Sequence, residues 1–118
     1  MPGREFGAMV EVDGERTVMS LHGDINAGAR ERLESAYAEA ERAKSDAVVL
    51  DFSDVDYINS TGIALIVGVL ARARAANRSV VAFGLNDHYR QIFQITRLSD
   101  FVGIYPDQAT ALQAAQAV

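Results

Sequence analysis

The chain contains no cysteine. That absence removes three chemistries together: a disulfide framework, a thiolate metal site and a cysteine nucleophile. Positive charge is scarce too, with 11 Lys and Arg against 16 Asp and Glu, a formal charge of −5. Nucleic acid rewards a basic surface through its phosphates, so this balance argues against such a partner. Long apolar runs are missing. The longest nearly apolar stretch, Ile63 to Ala71, is far shorter than a membrane span, and direct membrane insertion is not expected. The opening "MPGREFGAMVEV" lacks a basic segment followed by an apolar one, so no secretory signal is visible and the cytoplasm is the default.

Chemical motifs are equally sparse. No GxxxxGKS/T or GxGxxG loop follows a strand, which leaves a nucleotide without a seat. No GxSxG elbow is present for a serine hydrolase. His22 and His88 stand alone, outside any HExxH-type spacing, so no metal is expected. Asp51, near the end of an apolar strand, resembles a receiver-domain phosphoacceptor in position. A receiver also needs an acidic pair after its first strand and a lysine after a later one. The single lysine here, Lys44, lies at the end of a helix. Asp51 is better read as bonding neighbouring turn amides.

What is present is an ordinary globular composition, 49% hydrophobic and 23% charged over 118 residues, read as one domain over 1–118. The first five residues are expected to fray. "GAMVEVDG" and "RTVMSLHG" alternate as strands, with Asp13-Gly14 as the hairpin signal. "INAGARERLESAYAEAERAK" reads as a helix capped by Asn26. "AVVLDF" (47–52) is a strand buried on both faces, followed by a turn, "SDVDYIN". A smooth helix over Gly62–Ala76 comes next, then the strand "SVVAFGL" (79–85). "NDHYRQIFQITRL" is a helix capped by Asn86 or Asp87, "DFVGIY" a last strand, and Asp107 caps the terminal helix "QATALQAAQAV". The order ββαβαβαβα implies an α/β fold: a mixed, mostly parallel sheet with helices packed on it.

The stretch "INSTGIALIVGVLARA" (58–73) stands out. Asn59, Ser60 and Thr61 are all good N-cap residues, worth about 1 kcal/mol to the helix. At about 100° per residue, Ile66, Val69, Leu70 and Ala73 fall on one arc, the core face. On the opposite arc, roughly 40° to 140° from Ile63, lie Ser60, Ala64, Val67, Gly68, Ala71 and Ala75. A merely solvated face would carry Lys, Glu or Arg. A flat, uncharged face lets another backbone approach closely, and a hydroxyl at its head could be modified to forbid that approach. The alternative is that the stripe packs on a neighbouring helix of the same domain.

"VVLDFSDVDYINSTGIALIVGVLARARAANRSVVAFGL", continued by "NDHYRQIFQITRLSDFVGIYPDQATAL" and preceded by "LHGDINAGARERLE", resembles the STAS domain of bacterial anti-sigma factor antagonists over about residues 8–115. The resemblance implies a STAS-like fold and a non-enzymatic role in partner switching. It places the phosphorylated serine at Ser60, with Thr61 the less favoured hydroxyl, Gly62 opening the helix, and Asp24 as an acid near the site. Asn59 stands where the family usually has Asp, and Asn26 where a second Asp is common. The implied partners are an anti-sigma factor serine kinase, whose capture releases a sigma factor, and a serine phosphatase that resets the switch. The implied partner surface is Asp24, Asn59, Ser60, Thr61, Gly62, Ala64, Val67, Gly68 and Ala71. No cofactor is expected, ATP belonging to the kinase. The second reading is an unphosphorylated STAS accessory subunit of a membrane lipid or anion transporter, using the same helix face. An enzyme built on Asp24, Asp51 and Ser60 would need a base poised beside Ser60, and the sequence offers none.

Overall fold

The computed structural model describes residues 3–116. Strand β1 (Gly7–Asp13) and strand β2 (Arg16–Ile25) form an antiparallel hairpin in which Asp13 faces Arg16. Gly14 holds φ +65 at the first position of the two-residue loop, a conformation that glycine adopts without steric cost. A 3-10 turn at Ala27–Ala29 leads into helix α1 (Arg30–Arg42). Strand β3 (Ala47–Ile58), helix α2 (Ser60–Ala75), strand β4 (Ser79–Phe83), helix α3 (Asp87–Ile95), a 3-10 turn at Leu98–Asp100, strand β5 (Gly103–Tyr105) and helix α4 (Gln108–Gln116) complete the order.

The sheet runs β1-β2-β3-β4-β5, and every pair except β1–β2 is parallel. Successive crossovers of one hand that step in one direction across a sheet leave their helices on one face. Accordingly α1, α2 and α3 share one core, in which Leu33 and Tyr37, Ile66 and Leu70, and Phe93 meet strand residues such as Val48 and Leu50. Phe52 and Phe93 meet edge to face, ring centroids 6.0 Å apart. The other face of the central strands is covered by α4, where Ala111 meets Val49, Val81 and Phe83. β3 and β4 therefore alternate between two cores, as an unbroken apolar run requires.

Several boundaries differ from the sequence reading. Asn26 caps the 3-10 turn rather than α1 itself, its side chain accepting from the Gly28 N–H at 2.9 Å. α1 ends at Arg42, and Lys44 turns the chain with φ 56. α3 stops at Ile95, because the Thr96 hydroxyl returns to the Ile92 carbonyl and Arg97 adopts φ 65. Its cap is Asn86, which accepts from the Tyr89 N–H. The expected strand at 100–105 shrinks to three residues, because Leu98–Asp100 coil into a 3-10 turn. β4 ends at Phe83, where Gly84 takes φ +86 against Ser53. The end of the expected terminal helix, 117–118, lies outside the described residues, as do 1–2 of the expected fraying end.

Two corrections bear on the site. The expected turn at 53–59 is strand: β3 continues to Ile58, pairing His22, Gly23, Asp24 and Ile25 of β2 with Asp54, Val55, Tyr57 and Ile58. β4 pairs only as far as Asp51, so this extension has a partner on one side alone. Residues 4–6 do not fray. Arg4 pairs with Asp56 at 2.6 Å and Asp54 at 3.3 Å, Glu5 with Arg32 at 2.8 Å, and Phe6 is buried.

Candidate functional site

The head of α2 is fixed by backbone groups that the sheet leaves over. The Ile58 N–H, beyond the reach of β4, donates to the Tyr89 hydroxyl at 2.9 Å. The Asn59 N–H donates to the Ile25 carbonyl at 3.2 Å, and the Asn59 side chain accepts from the Gly62 N–H at 2.8 Å. Asn59 is thus the N-cap, and Ser60 is released from that duty. Gly62 is required by close approach, since a Cβ there would sit 1.9 Å from the Ile25 carbonyl oxygen. The end of β2 therefore presses on the first turn of α2, and Ser60 occupies an exposed position beside it.

Below that head, α2 divides as its periodicity predicts. Ile66, Val69, Leu70 and Ala73 are buried, joined by Leu65 and Gly62. Ala64, Val67, Gly68, Ala71 and Ala75 are all exposed, Val67 at 43%. Among the described residues, the stripe packs on no neighbouring helix. Gly68 sharpens the point: a Cβ there would meet nothing within 4 Å. Nothing in the packing of the described residues calls for glycine at this position, although it costs a helix about 1 kcal/mol relative to alanine.

The remaining residues of the expected surface are distributed unevenly. Thr61 and Asn59 are half-buried beside Ser60. Asp24 sits across from Tyr57 in the sheet, one register position before the Ile25–Ile58 pair that leads into the helix head, but it is buried at 4% exposure. Its Oδ1 has no hydrogen-bond partner among the described residues, so its carboxylate lies inside rather than on the outer surface. Asp51 spends its Oδ1 on the Ser53 N–H at 2.8 Å, within the strand rather than in a turn. Among the described residues, no three His, Asp or Glu side chains gather as metal ligands.

The sequence reading missed four contributors. Tyr89, which anchors the end of β3, gives no local signal, because its partner lies 31 residues away. Arg4 lies across the acids of the β3 extension and offsets charge near the helix head. Leu98 and Phe101, in and just after the second 3-10 turn, line an apolar cleft with Val67 and Ala71. Phe101, read as part of a strand, is half exposed.

Comparison with known proteins identifies this arrangement. A family model described as Mlab, STAS domain, matches residues 8–104. The anti-sigma-B factor antagonist of Listeria monocytogenes is 29% identical over 94 residues, which is 80% of this chain and 82% of that one. The crystal structure of an anti-sigma factor antagonist from Mycobacterium paratuberculosis superposes with a TM-score of 0.80 at 23% identity, covering 98% of this chain and 99% of that one. The Bacillus cell fate determinant SpoIIAA in its phosphorylated form has a TM-score of 0.70 at 18% identity, covering 92% and 98%. The family model spans most of the described chain, and the β2 end, capped helix and outer stripe fall within its match: the chain belongs to the STAS domain family, among the anti-sigma factor antagonists.

Proposed function

We propose that the chain acts in the cytoplasm as the antagonist half of a partner switch. Unmodified, it binds an anti-sigma factor that is also a serine kinase, through the exposed stripe of α2 and the Asn59–Gly62 head. The sigma factor held by that kinase is then free. Anti-sigma factor antagonists are binding proteins rather than enzymes, and the kinase brings the ATP. No helix among the described residues is long and apolar enough to cross a membrane.

The observation that carries this reading is Gly68, a helical glycine with open space around it on an uncharged, exposed face. Such a face accepts another backbone at close range. Ser60 supplies the switch. It stands at the first position of a 16-residue helix, is exposed, and is relieved of capping by Asn59. A phosphate there adds close to two negative charges at neutral pH. The N-terminus of α2 tolerates an anion, gaining roughly 0.3–1 kcal/mol at an exposed site, so the fold is retained. A partner surface fitted to a neutral hydroxyl is not. A serine phosphatase restores the binding form.

The second reading is a transporter accessory subunit docking the same exposed, uncharged face on an ATPase subunit. It differs in one respect: Ser60 stays unmodified. Mass spectrometry of the protein from its own cells separates the two. Phosphate on Ser60 supports the switch. Its absence under every growth condition, with an ATPase subunit co-purifying, supports the transporter.

A further inference from the structure

The far end of the α2 stripe does not finish flat. Val67, Leu70, Ala71 and Arg74 of the helix face Leu98 and Phe101 across a cleft of about 180 Å³. That is small for an organic ligand, whose sites run from roughly 300 Å³ upward, and suits a single apolar side chain. Phe101 is 50% exposed and Val67 43%, so two large apolar groups stand in water at its lip. The Arg74 guanidinium lies 4.9 Å from the centre of the Phe101 ring. This pair is also a wall of a second, broader cleft of about 450 Å³, in which Arg78, Asn77, Ser99 and Asp100 stand beside Arg74, the Asp100 carboxylate already paired with Arg97.

Charge distinguishes the two arginines of that second cleft from their neighbours. Arg72 is paired with Glu41 and Arg97 with Asp100. Arg78 places its Nε on the Ser45 carbonyl at 2.8 Å. Arg74 has no carboxylate among the described residues and only the Phe101 ring beneath it. In a chain of net charge −5, a basic spot with an open arginine adjoins an apolar cleft.

We infer that this double cleft is a reading site for the partner: a large apolar side chain enters between Val67, Ala71, Leu98 and Phe101, and an adjacent Asp or Glu of the same segment meets Arg74. The inference rests on the docking role proposed for α2 and extends that surface to the 3-10 turn. An arginine stacked on an aromatic ring is held ready for a carboxylate, and an aromatic wall with an arginine at its edge is the composition of interface hot spots.

The test is calorimetry with the purified anti-sigma factor serine kinase of the same cells, against Phe101→Ala, Arg74→Glu, Arg74→Lys and Ala64→Arg. Melting temperatures of all four are recorded alongside. Phe101→Ala and Arg74→Glu are expected to weaken binding at least tenfold. Arg74→Lys keeps the charge but not the planar stack and is expected to fall between the parent and Arg74→Glu, and the Arg74→Glu loss is expected to shrink in high salt. If Ala64→Arg, on the stripe but outside the cleft, alone weakens binding, the stripe docks the partner and the double cleft does not read it. If none of the variants weakens binding, the docking reading falls together with the inference. Binding of the parent chain to anionic vesicles, lost in Arg74→Glu, would assign the arginine to lipid headgroups and overturn the inference as well.

Discussion

At Gly62 a methyl group would sit 1.9 Å from the Ile25 carbonyl oxygen; at Gly68 it would meet open space. Two glycines six residues apart on one helix thus answer different needs, and their alanine variants are expected to move stability in opposite directions. Gly62→Ala forces the end of β2 away from α2 and is expected to cost about 1–3 kcal/mol, as overpacking does. Gly68→Ala removes only a backbone freedom and is expected to gain about 1 kcal/mol. Chemical denaturation of the two variants beside the parent measures both. A loss of stability in Gly68→Ala would mean that the stripe is already in contact with something in the free chain. Ser60 belongs to neither need. With Asn59 as the cap, its hydroxyl is surplus to the fold, which makes it available for chemistry.

Among the elements, α2 was the most legible in the sequence. Its core arc and outer stripe follow from a 3.6-residue period and a clean separation of side-chain types, and burial reproduces them residue by residue. The β3 extension was the least legible. "SDVDYI" carries the Asp and Ser of a turn, and its pairing is supplied entirely from elsewhere: β2 on one side, Tyr89 below and Arg4 across its acids. Periodicity reports only what an element buries through its own pattern. The same limit hid the second 3-10 turn, where Arg97 takes a left-handed conformation and breaks the expected helix before Leu98. Capping, by contrast, read well at α4. The Asp107 carboxylate accepts from the Thr110 N–H and hydroxyl, both at 2.9 Å. Those bonds, the backbone one first, hold its pKa below the ordinary 3.8. A carboxyl depressed in the folded chain contributes stability above its unfolded pKa and loses it as pH falls through the folded one. The start of α4 is therefore expected to loosen only as pH falls below that ordinary value. In Asp107→Asn that pH dependence is expected to vanish. Nuclear magnetic resonance titration of the Thr110 amide measures this, and a Thr110 shift with its midpoint above the ordinary carboxylate range would contradict it.

For the molecule as a whole, the sheet separates two tasks. One face carries the shared core of α1, α2 and α3, and α4 seals the other, so the outer side of α2 is free of structural obligation. Ala71→Arg tests that division. It leaves Ile66 and Leu70 in place and is expected to change stability by no more than about 0.5 kcal/mol, while kinase affinity falls at least tenfold, about 1.4 kcal/mol. Loss of stability instead would put the stripe back into the fold. The central claim, however, is that one hydroxyl decides between two states of a surface the fold does not need. Its most direct test is titration calorimetry of the kinase with three proteins: the unmodified chain, Ser60→Ala, and the chain phosphorylated at Ser60. The unmodified chain and Ser60→Ala should bind alike, and the phosphorylated chain at least tenfold more weakly, with all three melting as folded proteins. Equal affinity of the phosphorylated and unmodified chains for the kinase would contradict the switch.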